Sequence, residues 1–438
     1  QIVDNSRVLT YDANSLYAWA MCQEMPVGRC LFEFTPNGKM KQYGGQQASI
    51  SERAWIQMMQ KQCNETIATC DNTPTCRMRV IGKSGSKYIA DGVILGSKKV
   101  FEFLGDYWHA RNEKVKEKTE KKLKDLEDAG YQVNYIWEKD FMKLPGARDE
   151  LKKVQKEVYP SMALEYTMGK RNAIRIMMSE PKVFTKRLMA PFKRDLTSLE
   201  APQVGLYGFV ECDLRPQEGK VFEEFPPLFV RKEGKLSNPL KAEKVMLFTP
   251  YLATLIDLGY EVTHVYRFWE FKRARCFKTF IDRAVYERQR GSSSGNTWKL
   301  LANALYGGTI MDKKKFGKTI RTEDELKISQ MVMADSFQDL LPVGQNGLFH
   351  LLKSPARIRM NVPTQLGKAI LDLAKMHMVR FFYYILQPHQ KSVQLISFDT
   401  DAMTFAIPPY YENLSQNAHS QDFWDQTVRR HWFDDGPK

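Results

Sequence analysis

Cysteine is scarce in this sequence, and long apolar runs are missing from it. Seven cysteines occur in 438 residues, which is typical of a protein that keeps its thiols reduced. Their one cluster, Cys63, Cys70 and Cys76, contains no CxxC pair, so the spacing favours loop or half-buried thiols over a zinc site. No apolar run is long enough to span a bilayer, and no secretory signal pattern occurs. We therefore expect an intracellular protein without a membrane partner.

Acidic residues are outnumbered by basic ones. The 51 Asp and Glu residues against 65 Lys and Arg residues leave a net charge of +14. This surplus favours a polyanionic partner, because each phosphate that a protein neutralises releases counterions. A merely soluble basic protein would have the same composition, so charge alone leaves that alternative open. The length exceeds that of one ordinary core and predicts two or three domains.

Two apolar strands, far apart in the chain, each end in a carboxylate. Residues 8–20 read VLTYDANSLYAWA, a predicted strand that ends at Asp12 and leads into a helix. Residues 393–405 read VQLISFDTDAMTF, a predicted hairpin whose tight turn contains Asp399 and Asp401. Brought side by side, these carboxylates would make a site for a divalent cation, Mg²⁺ or Mn²⁺.

A predicted helical hairpin carries a second polar set. Residues 277–289 and 296–306 are predicted as helices around the GSSSG tip at 291–295, with Gly307-Gly308 closing the second helix. On that helix Lys299, Asn303 and Tyr306 occur at i, i+4 and i+7 and therefore share a face. A cation, an amide and an aromatic ring on one face suit a nucleotide. The alternative is a solvated lysine beside an aromatic residue that packs into the core.

The three motifs together carry a family resemblance. YDANSLY, KLLANALYG and FDTDA occur in the same order as D-x-x-S-L-Y-P, K-x-x-x-N-S-x-Y-G and Y-x-D-T-D-S, the polymerase motifs of family B DNA polymerases, which this chain resembles. The resemblance implies an α+β fold with the palm and fingers of that family. It also implies that Asp12 and Asp401 hold the two catalytic cations, with Asp399 as the neighbouring acid of the turn.

The resemblance further implies contacts with the incoming nucleotide. Ser15 and the backbone through Leu16 would meet the triphosphate, and Tyr17 would lie under the sugar and exclude a 2′-hydroxyl. Lys299 and Asn303 would bind phosphates, while Tyr306 would back the nascent base pair. Arg288 or Arg290, near the hairpin tip, is a further candidate phosphate ligand, with solvated tip charges as the alternative. Ala18, Ala304 and Ala402 depart from the family pattern, but none of them replaces a metal ligand.

The long interval between Asp12 and Lys299 resembles the protein-primed branch of the family, found in adenovirus-like and polinton-like replicons. That branch implies a DNA template-primer and dNTPs as partners, a terminal protein as a possible primer, and replication of a viral or mobile-element genome in the nucleus or cytoplasm of a host cell. The blocks LYGFVECDL and TPYLATLIDLGYEV also resemble this branch.

A second resemblance lies inside this interval. YIADGVILGSKKVFEFLGDYWH at 88–109 and the later GYQVNYIWEKD are similar to mismatch-nicking endonucleases of the very-short-patch-repair type, in the PD-(D/E)xK superfamily. The similarity implies a second metal site at Asp91 and Glu102, with His109 as general base. Glu52 and Glu138 are weaker candidates. Two departures, Leu104 where the lysine of that superfamily would fall and Asp106 in place of a cysteine, leave a degenerate binding domain as the alternative.

The expected organisation is α+β with an inserted α/β endonuclease-like domain. We predict palm at 1–30, the insertion at 49–150, a basic connector at 151–204 and returning palm at 205–275. The fingers hairpin follows at 276–310, and palm with the start of a thumb at 311–438. Residues 25–48 are predicted as loop. The exonuclease and most of the thumb are expected to be absent, and primer extension is therefore expected to be poor. The alternatives to polymerase function are a metal-dependent nicking endonuclease and a non-catalytic nucleic-acid-binding remnant.

Overall fold

The chain divides into two compact units. The computed structural model describes residues 6–13, 15–42, 48–69, 78–222, 224–232, 235–290, 295–313, 317–344, 347–354 and 362–433. The major unit comprises Gln1–Gly28 and Glu180–Lys438, and the inserted unit comprises Arg29–Ser179. Cys70, Cys76 and most of the predicted hairpin tip, 291–294, lie outside the described residues.

The first segment of the major unit is a strand followed by a helix, as predicted. These elements are β1 (Arg7–Asp12) and α1 (Leu16–Cys22). They lead into β2 (Met25–Phe34), which begins in the major unit and continues in the inserted unit. Phe32 and Phe34 of β2 are buried, so this stretch is a strand where the sequence predicted a loop.

The inserted unit is an α/β arrangement. Its elements are β3 (Met40–Gln42), α2 (Ile50–Cys63), β4 (Met78–Ile81), β5 (Lys87–Ala90), β6 (Gly92–Val93), β7 (Lys99–Leu104), α3 (Asp106–Ala110), α4 (Glu113–Asp128), β8 (Gln132–Trp137), α5 (Glu138–Phe141), α6 (Ala147–Val158), α7 (Ser161–Thr167) and α8 (Arg171–Ser179). Strand β7 pairs antiparallel with β6 and parallel with β8. Since α4 connects the parallel strands, it packs on this sheet, and its Leu123 and Leu126 are buried.

The rest of the major unit begins with helices and antiparallel strands. Its elements up to residue 353 are α9 (Pro181–Met189), β9 (Gly208–Pro216), β10 (Val230–Lys232), β11 (Lys235–Ser237), β12 (Ala242–Phe248), α10 (Thr249–Asp257), β13 (Tyr260–Ala274), α11 (Lys278–Gln289), α12 (Gly295–Thr309), β14 (Lys318–Thr322), α13 (Glu325–Val332), β15 (Phe337–Val343) and β16 (Leu348–Lys353). Strand β9 lies between β12 and β13, and β16 lies between β14 and β15, with all of these pairs antiparallel.

A long buried helix precedes the final hairpin. The remaining elements are α14 (Thr364–Arg380), π-helical turns at Phe381–Leu386, α15 (Gln387–His389), β17 (Gln394–Asp399), β18 (Ala402–Ile407), α16 (Leu414–Asn417), α17 (Gln421–Phe423), π-helical turns at Trp424–Arg429 and α18 (Arg430–Trp432). Helix α14 begins directly after Pro363. The ring of its His377 lies between Trp19 and Trp432, with ring centroids 4.3 and 5.3 Å away. These ring contacts connect α14 to α1 and to α18.

The mixed helix-and-sheet class is confirmed, and two local details differ from the expected pattern. The predicted connector at 151–204 contains most of α6 together with α7, α8 and α9. These helices have 7 to 12 residues, too short to give a strong periodic signal. Helix α12 continues through Gly307 and Gly308 to Thr309, whose Oγ1 donates a hydrogen bond to the Tyr306 carbonyl at 2.7 Å. In the described parts of the chain no helix is long and apolar enough to cross a bilayer.

Candidate functional site

A three-stranded antiparallel sheet joins the two acid-bearing segments. Strand β18 lies between β1 and β17. Its first residue, Ala402, is the partner of Asp12 on one side and of Asp399 on the other. The backbone N–H of Ala13 donates to the carbonyl oxygen of Asp401 at 2.7 Å. The sheet therefore places all three acids at one end of the hairpin.

The turn that carries Asp399 and Asp401 has an unusual backbone. Thr400 has φ of 50°, in the left-handed region that β-branched residues rarely occupy. Its hydroxyl donates to Oδ1 of Asp399 at 3.2 Å. The two flanking strands hold Thr400 in this conformation and thereby fix the directions in which the chain leaves each acid.

The acids at this site suit a cation. Asp12 and Asp399 are exposed, and Asp401 is half-buried. No Lys or Arg in the described ranges forms an ion pair with any of the three. In the described part of the chain, no group of three or more His, Cys, Asp or Glu side chains is placed so that it could hold a metal ion by itself. Mg²⁺ binds through one or two carboxylates together with substrate phosphates, so the donor set fits a cation that arrives with a nucleotide.

Helix α1 begins beside this turn and carries an aromatic residue towards it. Ser15 precedes the helix with φ of 55°, and Leu16 is buried. The ring of Tyr17 stacks on that of Tyr306, with centroids 4.4 Å apart and planes 9° apart. Burial raises the pKa of the Tyr17 hydroxyl, and the charges of Asp401 and Asp399 raise it further. Burial, together with Tyr17, raises the pKa of Tyr306 to about 12. Both hydroxyls therefore stay protonated at neutral pH.

The helical hairpin of α11 and α12 brings one of its two tip arginines to α1. Nη1 of Arg288 donates to Oγ of Ser15 at 3.2 Å. Arg290 instead lies over the ring of Tyr286 on its own helix, 5.5 Å from the centroid. Lys299 and Asn303 are exposed on α12, on the same helical face as Tyr306. The structure thus brings together Ser15, Tyr17, Tyr306 and Arg288 and leaves Arg290 outside this group.

A basic cavity adjoins this group, and sequence reasoning missed it. It has a volume of about 1010 Å³, and Tyr17, Phe398 and Thr400 contribute to its lining. Its basic lining residues are Arg231, Lys241, Lys244, Lys368 and Lys375. The signal that could have found part of it is the i, i+7 spacing of the two lysines on α14.

A buried acid holds these two lysines in place. Asp372 is fully buried, and its Oδ1 lies 2.7 Å from Nζ of Lys368 and 3.9 Å from Nζ of Lys375. Its Oδ2 accepts the backbone N–H of Phe248 at 2.9 Å. Burial lowers the pKa of Lys375; the charge of Asp372 opposes this shift, and the charges of Lys368 and Arg231 add to it. The lysines therefore form a positively charged wall with a fixed position.

The second predicted set lies in the inserted unit, where three of its five residues come together. The backbone N–H of Phe103 donates to Asp91 at 2.8 Å, and Glu102 forms an ion pair with Lys122 of α4 at 2.7 Å. Burial raises the pKa of Asp91 and raises that of Glu102 to about 7, with the charge of Asp91 adding to the latter shift. Burial lowers the pKa of His109, and the charges of Asp91 and Lys122 also act on it. Lys122 is the member that sequence reasoning missed.

The other two predicted acids lie at helix starts. Glu52 forms a capping box with Ser49 at the beginning of α2. Glu138 is the first residue of α5, and its Oε1 accepts a hydrogen bond from Ser51 at 3.4 Å. Glu52 therefore caps the start of α2, and Glu138 links the start of α5 to α2 through Ser51.

Comparisons with known proteins give two similarities. Residues 158–344 match the family model of type B DNA polymerases, organellar and viral. The matched range includes α11 and α12 and excludes both acid-bearing strands. Among solved structures, Phi29 DNA polymerase in a ternary complex with primer-template DNA and incoming nucleotide is 17% identical, with a TM-score of 0.30 over 49% of this chain and 33% of that one. The chain thus spans about a third of that polymerase. No curated protein sequence matches it significantly.

Proposed function

We propose that the major unit carries the active site of a DNA-directed DNA polymerase. One observation carries this proposal: in the antiparallel sheet, Asp12 and Asp399 are the partners of Ala402 on its two sides. In addition, the backbone carbonyl of Asp401 accepts a hydrogen bond from the backbone N–H of Ala13. Two acid-bearing motifs from distant parts of the chain thereby lie at one end of a shared sheet, which supports a common site. The match of residues 158–344 to type B DNA polymerases supports the same function from a separate part of the chain.

The proposed reaction is a nucleotidyl transfer. The 3′-hydroxyl of a primer attacks the α-phosphorus of a dNTP, a new phosphodiester bond forms, and the bond to pyrophosphate breaks. Asp12 and Asp401 would hold Mg²⁺ or Mn²⁺, which when bound supplies activation of the hydroxyl and stabilisation of the leaving pyrophosphate. Asp399 adds negative charge that favours cation binding at the same turn.

The side chains around the acids suit a nucleotide. Tyr17, stacked on Tyr306, offers a rigid aromatic surface to the sugar and would exclude a 2′-hydroxyl by its bulk. Arg288, anchored on Ser15, brings a planar cation to the triphosphate. Lys299 and Asn303 are exposed on the same helix as Tyr306 and would bind phosphate oxygens.

The basic cavity suits the phosphates of the DNA strands. Its lysines are fixed by Asp372, and its lining continues to Tyr17 and Thr400. A template-primer needs basic side chains that contact its backbone phosphates and position it at the catalytic acids. The lysines of the cavity would provide these phosphate contacts, and the cavity adjoins the turn that carries Asp399 and Asp401. The net charge of +14 agrees with this partner.

We further propose that the primer is a protein hydroxyl and that the genome replicated is viral or belongs to a mobile element. The support is the long interval between Asp12 and Lys299, which contains the inserted unit. In a replication reaction with α-labelled dNTP, we expect label that becomes attached to protein, survives nuclease digestion and is lost on protease digestion. Label found only in DNA would contradict protein priming and leave the polymerase proposal intact.

Incorporation of a single templated nucleotide tests the polymerase proposal. We expect the Asp12→Asn and Asp401→Asn variants to lose at least about a thousandfold in kcat, as for removal of a catalytic metal ligand. Glu218→Gln, which removes an exposed acid in the turn after β9, is the matched control and should incorporate at the wild-type rate. Incorporation that ignores the template, or that survives both Asp substitutions, would refute the assignment. DNA binding without incorporation by the unsubstituted chain would favour the non-catalytic alternative.

A further inference from the structure

Another cavity of the major unit borders Asp12. It has a volume of about 490 Å³, within the range of about 300–1,000 Å³ that small-molecule sites occupy. Residues of β1, α1, α14, β18 and α18 contribute to its lining, and Asp12 is one of them. Five aromatic side chains belong to this lining: Tyr11, Trp19, Phe381, Trp432 and Phe433. The cavity therefore offers flat apolar surfaces beside one of the proposed catalytic acids.

The aromatic rings of this lining hold one another in place. The ring of Phe433 lies edge-on to those of Tyr11 and Phe381, with centroids 5.5 and 5.9 Å away. Phe381 in turn contacts Trp432, with centroids 5.8 Å apart. Nε1 of Trp432 donates to the carbonyl oxygen of Leu196 at 2.7 Å. Because these contacts fix the rings before any ligand binds, little conformational entropy is lost when a flat group enters.

A ring nitrogen of the same lining has no partner. His377 contributes to the cavity and lies between Trp19 and Trp432. Its Nδ1 is buried and has no hydrogen-bond partner among the described residues. The imidazole is neutral at pH 7, because burial and the charge of Arg380 lower its pKa to about 3. Since a buried polar atom without a partner destabilises the fold, a ligand that pairs with Nδ1 gains affinity.

A nucleobase has the chemistry that suits this lining. Its faces stack on aromatic side chains whatever the identity of the base. Its edges carry hydrogen-bond donors and acceptors, so it can pair with Nδ1 in either neutral tautomer of His377. An aliphatic ligand would leave that nitrogen without a partner. A base at the end of a DNA strand would also have a route to the cavity, because the proposed reaction brings the strand end to Asp12, which is part of the lining.

We propose that this cavity binds the unpaired terminal base of the growing DNA strand. The inference rests on the proposed polymerase function, which brings that strand end to Asp12, and it assigns a role to aromatic residues that take no part in the transfer itself. A base that is paired with the template stays stacked in the duplex, whereas a mismatched base leaves the stack at the lowest cost. The cavity would therefore hold a mispaired end away from the template and delay the next addition.

The fluorescence of 2-aminopurine tests this proposal, because its emission falls when the base stacks on an aromatic ring. The whole chain is titrated, without dNTP, into duplexes whose primer ends in 2-aminopurine opposite either thymine or guanine. Emission should fall for the unpaired end, opposite guanine, and stay the same for the paired end. Trp432→Leu should weaken binding of the unpaired end, relative to the paired end, about tenfold, the weight of one base stacked on an aromatic ring. Trp269→Leu, which removes a half-buried tryptophan of β13, is the matched control and should change neither affinity.

A second variant keeps the test valid where Trp432→Leu unfolds, which circular dichroism identifies. His377→Phe keeps a ring between the two tryptophans and removes the nitrogen, so it should weaken binding of the unpaired end about fivefold, the weight of one hydrogen bond. Emission that stays constant for the unpaired end, or that falls equally in both variants, would overturn the proposal. Equal affinity for free 2-aminopurine deoxynucleoside would also overturn it, because the cavity would then take single bases rather than a strand end.

The base site and the polymerase function can fail separately. Incorporation of a templated nucleotide by a chain that leaves the emission of the unpaired end unchanged would refute the base site alone. A fall in emission that Trp432→Leu abolishes, in a chain that incorporates no nucleotide, would support base binding by the cavity and refute the polymerase proposal.

Discussion

Asp12 and Asp399 are both cross-strand partners of one small residue, Ala402. Since paired residues of neighbouring strands point to the same face of the sheet, the methyl group of Ala402 lies in the space between the two carboxylates. The family B motif that this stretch of the sequence resembles has a serine at this position. The structure explains why this departure is compatible with the site: alanine is no larger than serine and leaves the space between the acids open.

The size of residue 402 should therefore control activity. Ala402→Ser should keep nucleotide incorporation within about threefold of the unsubstituted chain, whereas Ala402→Leu should lower kcat by at least about a hundredfold, because a branched side chain would displace the acids by an ångström or more. Single-nucleotide incorporation assays measure both. Ala18→Leu, on α1, is a control for bulk near the site. Equal activity of the serine and leucine variants would mean that residue 402 does not lie between the acids.

The two tip arginines give a matched pair for nucleotide binding. Arg288→Ala should raise the KM for dNTP by about tenfold or more and change kcat less, because it removes a charged hydrogen-bond donor. Arg290→Ala should change KM by less than twofold, since Arg290 lies on Tyr286. Steady-state kinetics at varied dNTP concentration measure the KM and kcat of both variants. A larger effect at Arg290 than at Arg288 would contradict the arrangement of the hairpin.

Tyr17 should set the choice of sugar. Replacing it by Val removes the ring that stacks on Tyr306 and opens room for a 2′-hydroxyl, so the ratio of ribonucleotide to deoxynucleotide incorporation should rise by about a hundredfold. Tyr17→Phe keeps the ring and should keep the discrimination. Competition between rATP and dATP opposite one template base measures the ratio, and an unchanged ratio in the Val variant would place sugar selection elsewhere.

The two lysines fixed by Asp372 should contribute to DNA binding without reading its sequence. Removing one phosphate contact lowers the slope of log K against log[salt] by about 0.9. Lys375→Ala should therefore weaken binding by a similar factor on duplexes of different sequence and reduce that slope by about one. Lys327→Ala, at an exposed position on α13, is the control. A salt slope that stays the same in Lys375→Ala would exclude this wall from the DNA path.

His377 should make the major unit less stable in acid. Burial, with the charge of Arg380, lowers its pKa from 6.5 to about 3. Between these values the unfolded chain binds a proton that the folded chain excludes, so stability falls as the pH falls from about 6.5, by at most about 1.4 kcal/mol per pH unit. Urea unfolding at pH 7 and pH 5 should show this loss, and His377→Phe should reduce it. His264→Gln, at an exposed position, should leave the loss unchanged.

The sequence was sufficient to predict the elements that carry the acids. Strong apolar strands end at Asp12 and Asp399, because the apolar pattern of a strand acts locally. The sequence could not predict the strand within 25–48, since Pro26 and Gly28 obscure the pattern that buries Phe32 and Phe34.

Contacts between distant segments were the other limit. Nothing near Lys122 distinguishes it from the other lysines of α4, and its role follows only from the packing of that helix on β7. Likewise the choice of Arg288 over Arg290 for Ser15 depends on where the α11–α12 hairpin ends relative to α1. Side-chain partners of this kind are set by tertiary geometry, which residue spacing alone does not determine.

The pairing of β1 with β18 has a consequence for how the molecule folds. Asp12 meets the hairpin acids only when the interval from Asp12 to Ala402 has closed, so a chain in which β1 and β18 are unpaired lacks the assembled set of acids. The entropy of closing a flexible loop grows only with the logarithm of its length, about 0.6 kcal/mol for each doubling. A compact unit carried inside that loop adds little to this penalty, which gives a thermodynamic reason why the interval can hold Arg29–Ser179.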